Sequence, residues 1–189
     1  AEIAAIFGFS ANNNNDKVGL LLFSDEIERF IPPKKGKSHI FRLLREIFYF
    51  EPKSKKTSIS KALDYLMKTN KKKAIVFFIS DFIDNGYEKQ MRCVARKHDL
   101  VPVIIEDPRE IDLPKSGLML LEDEETGDTM YLNTRSKDVR EKFKNIKLAR
   151  KLSQERFFKS VNITPIRVEC GKSYTNELVR YFKNRAKRY

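Results

Sequence analysis

The chain has 189 residues, of which 41% are hydrophobic, and it carries a formal net charge of +12. This length and composition predict one compact domain with a sizeable core and exclude an intrinsically disordered chain. The two cysteines, Cys93 and Cys170, form neither a disulfide framework nor a zinc motif, which favours a reducing compartment such as the cytoplasm. No apolar run approaches the ~20 residues of a membrane span, although a chain that starts at Ala1 leaves room for an anchor upstream.

Apolar residues alternate between strand and helix patterns along the chain. Three short apolar runs, at 18–23, 74–79 and 100–105, lack period-two alternation and are typical of parallel strands covered by helices. Helical spacing predicts helices around these strands, with Ser38 as an N-cap of the second helix. The predicted helices span residues 1–11, 38–50, 58–69, 87–97, 136–160 and 173–185.

Two hairpins and a last strand complete the predicted elements. The segment 27–31, closed by Pro32 and Pro33, follows the first strand so closely that it must pair with it antiparallel, at an edge. The segment 118–133 predicts a second hairpin, with its turn at 125–128 and Gly127 supplying a positive φ. A last strand is predicted over 163–169. In the long helix before that strand, an apolar stripe of Val139, Phe143, Ile146, Ala149 and Leu152 is predicted.

This order predicts an α/β fold: a doubly wound, mostly parallel sheet with helices on both faces and an inserted β-hairpin, forming a single domain over residues 1–189. Such a sheet needs another central strand before the first helix, so we expect the chain to lack its first central strand and to be truncated at its N-terminus. The strands at Val18 and Ala74 would then flank a slot of unpaired backbone groups. Self-association through this slot is therefore expected.

The positive charge is concentrated in the last third of the chain. Residues 135–189 hold 17 Lys and Arg against 5 Asp and Glu, whereas residues 1–134 are neutral. A basic surface of this kind favours an acidic partner, and a solvated helix face is the alternative interpretation. The basic candidate partner contacts are Arg140, Lys144, Lys147 and Lys151, and a nucleic-acid binder would use Arg185 and Arg188 as well.

Polar residues follow the predicted parallel strands, where α/β sheets bind their ligands. Oxygen ligands without histidine or cysteine suit a hard cation such as Mg²⁺ or Mn²⁺, but ordinary loop acids and helix caps explain the same residues. The candidates are Ser24, Asp25, Glu26, Thr57, Ser58, Ser80, Asp81, Asp84, Glu106 and Asp107.

Sequence motifs for catalysis are missing from the chain. It contains no phosphate-binding glycine loop, no nucleophile elbow and no zinc-protease motif. The two histidines, His39 and His98, are predicted on helix surfaces, and neither cysteine has the basic neighbours of a nucleophile. We therefore expect a protein that is not an enzyme.

Three stretches resemble the von Willebrand A-like bacterial proteins of domain-of-unknown-function (DUF) family 58: NNDKVGLLLFSDEIERFIPPKK from Asn14, the segment from Thr57 to Leu66 with FISDFI from Phe78, and KHDLVPVIIEDPREIDLP with LMLLEDEETGDTMYLNT in the segment 98–133. The resemblance implies a protein-binding module that acts with a MoxR-type AAA+ ATPase in the assembly or activation of other proteins.

The resemblance also implies a metal-ion-dependent adhesion site, in which a D-x-S-x-S motif, a threonine and an aspartate hold a divalent cation. Thr57 matches the threonine and Asp81 the aspartate, whereas the D-x-S-x-S is missing. We therefore expect an incomplete site without a cofactor in this chain, and Mg²⁺ or Mn²⁺ only in a full-length protein. Asp25 and Asp84 remain candidate partner contacts on the same rim.

Two other functions use the same residues. A metal-dependent nuclease would combine the strand-end acids Asp25, Asp81 and Glu106 with a basic surface that holds phosphates. A plain nucleic-acid binder would use the basic C-terminal helices, but few aromatic residues lie among those charges.

Overall fold

The computed structural model describes residues 1–107, 114–122 and 129–174, together with Leu178. In chain order, these residues form α1 (Glu2–Asn13), β1 (Val18–Phe23), β2 (Ile27–Lys34), α2 (Lys37–Phe48), α3 (Ile59–Thr69), β3 (Ile75–Ser80), α4 (Glu88–Lys97), β4 (Asp99–Glu106), β5 (Leu118–Glu122), β6 (Thr129–Asn133), α5 (Lys137–Ser160) and β7 (Ile166–Glu169).

The chain divides into two compact units, unit 1 over Ala1–Asn70 and unit 2 over Lys71–Tyr189. The single domain over residues 1–189 remains a prediction.

Unit 1 is built on the β1–β2 hairpin. The strands pair antiparallel, with Leu21 opposite Phe30, which confirms the predicted hairpin. β2 does not end before the two prolines but continues through them to Lys34, and both prolines are exposed, as suits an edge strand. Apolar side chains of the hairpin and α2 form one core cluster of the unit, since an amphipathic helix must bury its apolar stripe. Its buried members are Ile31, Ile40 and Leu43. α1 and α3 also bury apolar side chains of the unit, namely Ile3, Phe7, Ile59, Ala62 and Leu63.

The two helices that follow the hairpin begin differently. α2 has Gly36 as its N-cap, with a φ of 102°, and the prediction of Ser38 was wrong because Ser38 already lies in the first helical turn. A positive φ, which glycine adopts without strain, turns the chain from the edge strand into the helix. α3 begins as predicted: the Ser58 hydroxyl accepts a hydrogen bond from the Lys61 N–H at 3.4 Å.

Unit 2 contains a parallel sheet in the order β3–β4–β7. Its central strand, β4, is the most deeply buried, with Val101, Val103 and Ile104 at 2% exposure or less. The predicted α/β fold with a parallel sheet is confirmed at this level. β1 is not hydrogen-bonded into this sheet and pairs with β2, so the larger parallel sheet that the sequence predicted is not observed among the described residues.

The second hairpin and the long helix follow the sequence prediction in their positions. β5 pairs antiparallel with β6, with Leu120 opposite Tyr131, whereas the predicted turn at 125–128 lies outside the described residues. The Ser136 side chain caps α5, accepting from the Val139 N–H. Of the predicted last helix over 173–185, only Ser173, Tyr174 and Leu178 fall within the described residues.

The predicted apolar stripe of α5 is confirmed only in its first part: Val139 and Phe143 are half-buried, whereas the later members Ile146, Ala149 and Leu152 are exposed. Ile146 is 69% exposed and Leu152 is 51% exposed, while Phe158 is the buried residue of the helix. The less exposed face of this part of the helix carries basic side chains, because Lys151 pairs with Glu106 and Arg150 donates to the Phe82 carbonyl. No helix in the described part of the chain combines the length and apolar character of a membrane crossing.

Candidate functional site

In unit 1, hydrogen bonds join the carboxyl end of β1 to the start of α3. The hydroxyl of the buried Ser24 donates to Glu28 Oε1 at 2.8 Å, and the Ser58 N–H donates to the Ser24 carbonyl at 3.0 Å. Lys61 Nζ donates to the Asp25 carbonyl at 2.8 Å. Because the N-cap of α3 is itself held against β1, this corner of the unit has a fixed backbone.

Asp25 is a half-buried acid within this corner. Hydrogen bonding by the Ser54 hydroxyl lowers the pKa of Asp25 below its usual value; partial burial opposes this shift, and Lys61 and Lys56 reinforce it. The Asp25 carboxylate is therefore an anion at neutral pH. Thr57 lies half-buried in the loop before α3, in the same unit as Asp25.

In unit 2, the carboxyl end of β3 forms a tight turn around Asp81. Asp81 Oδ1 accepts from the Ile83 N–H at 3.0 Å, and the Phe82 N–H donates to the Ser80 hydroxyl at 3.0 Å. Between them, Phe82 has a φ of 58°, a left-handed conformation that is costly for a bulky residue. Its ring is 1% exposed, so the buried side chain holds the strained turn in place.

An open cleft lies between this turn, the end of β4 and α5. Its lining comes from the turn after β3, the end of β4 with Asp107, α5 and β7, all in unit 2. The lining residues are Asp81, Phe82, Ile83, Ile104, Ile105, Glu106, Asp107, Lys147, Arg150, Lys151, Gln154 and Arg167.

Glu106 organises the cations of this cleft. Its Oε1 accepts from Arg167 Nη1 and lies 3.3 Å from Lys151 Nζ. The Arg150 guanidinium donates to the Phe82 carbonyl at 3.4 Å. A carboxylate at a strand end thus binds cationic side chains of the neighbouring helix and strand, which is why α5 turns a basic face towards the sheet.

Gln154 fixes the position of α5 more deeply in the unit. Its Oε1 accepts from Arg167 Nη2 at 3.3 Å, and its side chain hydrogen-bonds the buried Tyr87. Burial raises the pKa of Tyr87, so its hydroxyl stays protonated at neutral pH. Tyr87, Gln154, Arg167 and Glu106 therefore form a continuous polar connection from the core to the cleft.

Some of the predicted site residues line the cleft, and others do not. Asp81, Glu106, Lys147 and Lys151 line it together, so parts of the predicted carboxylate rim and of the predicted basic surface are one site. Asp25 and Thr57 belong to unit 1. The acids of the nuclease alternative, Asp25 with Asp81 and Glu106, are accordingly divided between the units.

The remaining predicted contact residues have local contacts of their own. Arg140 Nη1 donates to the carbonyls of Thr134, Arg135 and Ser136, which caps the end of the second hairpin. Asp84 Oδ1 accepts from the neighbouring Asn85 N–H at 2.7 Å. Lys144 is exposed on α5, and Arg185 and Arg188 lie outside the described residues.

Sequence reasoning missed three residues of the cleft, namely Arg150, Gln154 and Arg167. The first two follow Lys147 at spacings of three and seven, so a helical pattern of polar residues could have identified them. Arg167 gave no such signal, because its partner Glu106 is 61 positions away in sequence.

The histidines and cysteines contribute no further member of the site. His98 is 2% exposed, so its predicted place on a helix surface was wrong, and neither of its ring nitrogens has a hydrogen-bond partner among the described residues. His39 is half-buried and its Nε2 lies 2.9 Å from the Val18 carbonyl oxygen. Cys93 and Cys170 are both exposed and unpaired by a disulfide.

The residues present do not fit a metal-ion-dependent adhesion site. Within the described ranges, no group of three His, Cys, Asp or Glu side chains is placed to hold a metal ion. Asp81, the predicted aspartate ligand, uses Oδ1 to hold the Ile83 N–H. Mg²⁺ demands near-octahedral oxygen coordination, which Thr57 and Asp81 alone do not supply.

We therefore expect titration calorimetry of this chain with Mg²⁺ or Mn²⁺ to show no stoichiometric binding below about 1 mM. Any weak heat should be the same for Asp81→Ala. Sub-millimolar binding with a stoichiometry of one that Asp81→Ala removes would contradict this prediction.

Comparison with known proteins gives a family but no activity. The family described as "Protein of unknown function DUF58" matches residues 1–153. The uncharacterized protein Rv1480 of Mycobacterium tuberculosis is 21% identical over 185 residues, which are 96% of this chain and 58% of that protein. The uncharacterized protein MAV169 of Mycobacterium avium is 24% identical over 158 residues, 82% of this chain and 93% of that protein.

No solved structure matches the chain significantly. The match covers only 58% of the length of Rv1480 and of the related Mycobacterium bovis protein, so the chain spans little more than half of these two relatives. The family match covers residues 1–153 and includes both the corner around Asp25 and most of the cleft lining. The chain thus belongs to the DUF58 family of proteins of unknown function.

Proposed function

We propose that this chain is a non-enzymatic, von Willebrand A-like protein-binding module that acts with a MoxR-type AAA+ ATPase in the assembly or activation of other proteins. We place it in the cytoplasm, since its two exposed cysteines form no disulfide and suit a reducing compartment. The partnership comes from the family resemblance, and the site we assign to it is the cleft of unit 2.

The observation that carries the proposal is the arrangement of opposite charges in that cleft. Asp81, Glu106 and Asp107 lie with Lys147, Arg150 and Lys151 at the carboxyl ends of parallel strands, where α/β folds bind their ligands. A partner protein with charges of both signs would find complementary groups there. Such complementarity mainly sets specificity and association rate.

The contacts of the two best-defined acids favour binding over catalysis. Asp81 holds the backbone of its own turn, and Glu106 holds Arg167 and Lys151. A general acid or base must be able to exchange protons with a substrate, whereas Asp81 Oδ1 and Glu106 Oε1 bind groups of the protein itself and fix the shape of the cleft. A preformed surface of this kind loses little entropy when a partner binds.

The test is the affinity of this chain for a MoxR-type ATPase of the same organism, measured by biolayer interferometry. We expect Lys147→Glu combined with Arg150→Glu to weaken binding by at least about tenfold, because like charges would meet at the contact. The wild-type chain should bind with a Kd on the order of micromolar.

The matched control reverses two charges at the other end of the same sheet. Lys72 and Lys73 are exposed just before β3, at its amino end. The double variant Lys72→Glu with Lys73→Glu should keep its affinity within about twofold. Equal losses in both double variants would show a nonspecific charge effect, and no binding by the wild-type chain would end the proposal.

A further inference from the structure

The outward face of α5 carries an apolar patch that the cleft does not use. Ile146 is 69% exposed, Leu152 is 51% exposed and Leu148 is 41% exposed. Helical spacing places Leu148 and Leu152 one turn apart, with the exposed Ala149 between Ile146 and Leu152. We call these four residues the α5 patch. Exposed apolar side chains occur singly on most proteins, whereas a contiguous group marks an interaction site.

The two faces of α5 are inverted relative to an ordinary surface helix in its middle part, around residues 146–152, although the helix buries Phe158 near its end. The face towards the sheet carries Lys147, Arg150 and Lys151, which line the cleft, while large aliphatic side chains point to solvent. An ordinary surface helix buries its apolar stripe. The ion pair of Lys151 with Glu106 explains the basic inner face. Nothing in the described part of the chain packs against the aliphatic outer face.

Basic residues surround the α5 patch. Lys142 lies one turn before Ile146, and Arg156 and Lys159 follow Leu152 at spacings of four and seven; all three are exposed. Of the nearby acids, Glu141 pairs with Lys137 at 3.5 Å and Glu155 pairs with Arg167 at 3.6 Å. The patch is therefore an apolar strip with a positive border.

We propose that the α5 patch binds an acidic amphipathic helix of a partner protein. An apolar stripe flanked by Asp and Glu would cover Ile146, Leu148 and Leu152 while its acids meet the basic border, so the partner helix would bind through apolar anchors at helical spacing. The inference rests on the proposed protein-binding function, but it assigns a second contact face, distinct from the cleft.

Charge argues against a second copy of the chain as the occupant. α5 contains nine Lys and Arg residues against three Asp and Glu, so two such helices would repel each other. Segment 175–189 of the chain is itself basic, with five Lys and Arg against one Glu. A nucleic acid would not cover the aliphatic side chains, because base stacking needs aromatic residues.

The test uses two designed helical peptides of about 20 residues with the same apolar stripe of Leu, one with Glu and one with Lys at the flanking positions. Fluorescence anisotropy should show that the full chain binds the Glu peptide and not the Lys peptide. Ile146→Gln combined with Leu152→Gln should weaken binding at least about tenfold, since glutamine keeps the helix but removes the apolar contact.

The control removes equally exposed leucines from the same unit. Leu118 is 71% exposed and Leu120 is 52% exposed on β5, and Leu118→Gln with Leu120→Gln should leave the affinity within about twofold. The proposal is overturned if the Lys peptide binds equally well, if both double variants lose affinity alike, or if the Glu peptide does not bind.

Other occupants have their own readouts in the same design. The chain could instead bind phosphatidylserine vesicles or RNA and not the Glu peptide. If Ile146→Gln with Leu152→Gln abolished that binding, the proposal would be overturned in favour of a membrane or a nucleic acid. Self-association in analytical ultracentrifugation that this variant abolishes would identify a second copy. If Lys147→Glu with Arg150→Glu loses ATPase binding but still binds the Glu peptide, the cleft and the α5 patch are separate contact faces. If the wild-type chain binds the ATPase but not the Glu peptide, only the proposal for the α5 patch is overturned and the proposed function is retained.

Discussion

Replacement of Phe82 with alanine is expected to destabilise unit 2 by about 3–5 kcal/mol, the usual cost of removing a buried phenylalanine ring. The ring is 1% exposed and packs at centroid distances of 5.5 Å from Phe78, 5.9 Å from Tyr87 and 5.7 Å from Phe158. These contacts join the end of β3 to α5. Urea denaturation followed by far-UV circular dichroism measures the change in the free energy of unfolding.

The left-handed backbone of Phe82 makes a second comparison informative. In an ordinary strand or helix, glycine is more destabilising than alanine. At a φ of 58°, glycine relieves the strain that alanine retains, so Phe82→Gly should be more stable than Phe82→Ala by about 1 kcal/mol. If Phe82→Ala proved more stable than Phe82→Gly, the backbone strain inferred for Phe82 would be contradicted.

A matched control separates the packing effect from the loss of any aromatic side chain. Tyr131 lies in the same unit and is 67% exposed, so Tyr131→Ala should change the free energy of unfolding by less than about 1 kcal/mol. If Phe82→Ala were as mild as Tyr131→Ala, the turn around Asp81 would not depend on the buried ring. Other contacts would then hold the turn around Asp81 at the edge of the cleft.

Sequence reasoning succeeded where the structural signal is local. The run Val18–Phe23 is a strand with the predicted bounds, because consecutive apolar residues and flanking turns are read within a few positions. Ser58, one of the two residues expected to cap α3, does so, and α5 begins directly after Ser136, where the sequence predicted the start of the helix, because a serine before a helix satisfies a free N–H group of the first turn. The N-cap of α2 is Gly36 and not the predicted Ser38. The positive φ of Gly36 depends on the path of the preceding edge strand, which a local sequence pattern does not show.

The inner face of α5 was not predictable in this way. Apolar periodicity favoured Ile146 and Leu152 as buried residues, and the structure exposes both. The orientation of the helix depends on Glu106 and Arg167, which lie on other strands and meet α5 only after the fold has formed. Long-range ion pairs leave no periodic pattern in the sequence, so the cleft could be predicted from its acids but not completed with Arg150, Gln154 and Arg167.

The stability of unit 2 is expected to fall as the pH decreases from about 7 towards 5.5, and His98 is the reason. Burial lowers the pKa of His98 below its ordinary value of 6.5, and Lys97 adds to the shift. The unfolded chain therefore binds a proton at a higher pH than the folded chain does. The stabilisation is complete above the unfolded pKa and is lost as the pH falls through the folded pKa, with a slope of at most about 1.4 kcal/mol per pH unit for one proton.

His98→Leu should flatten this dependence between pH 7.5 and pH 5.5 (roughly the range in which histidine titrates) when urea denaturation is repeated at each pH. At pH 7.5 the variant should be as stable as the wild-type chain or more stable, because both buried ring nitrogens lack a hydrogen-bond partner among the described residues and leucine removes them. A slope that survives unchanged in His98→Leu would show that protonation of His98 does not cause the pH dependence of the stability.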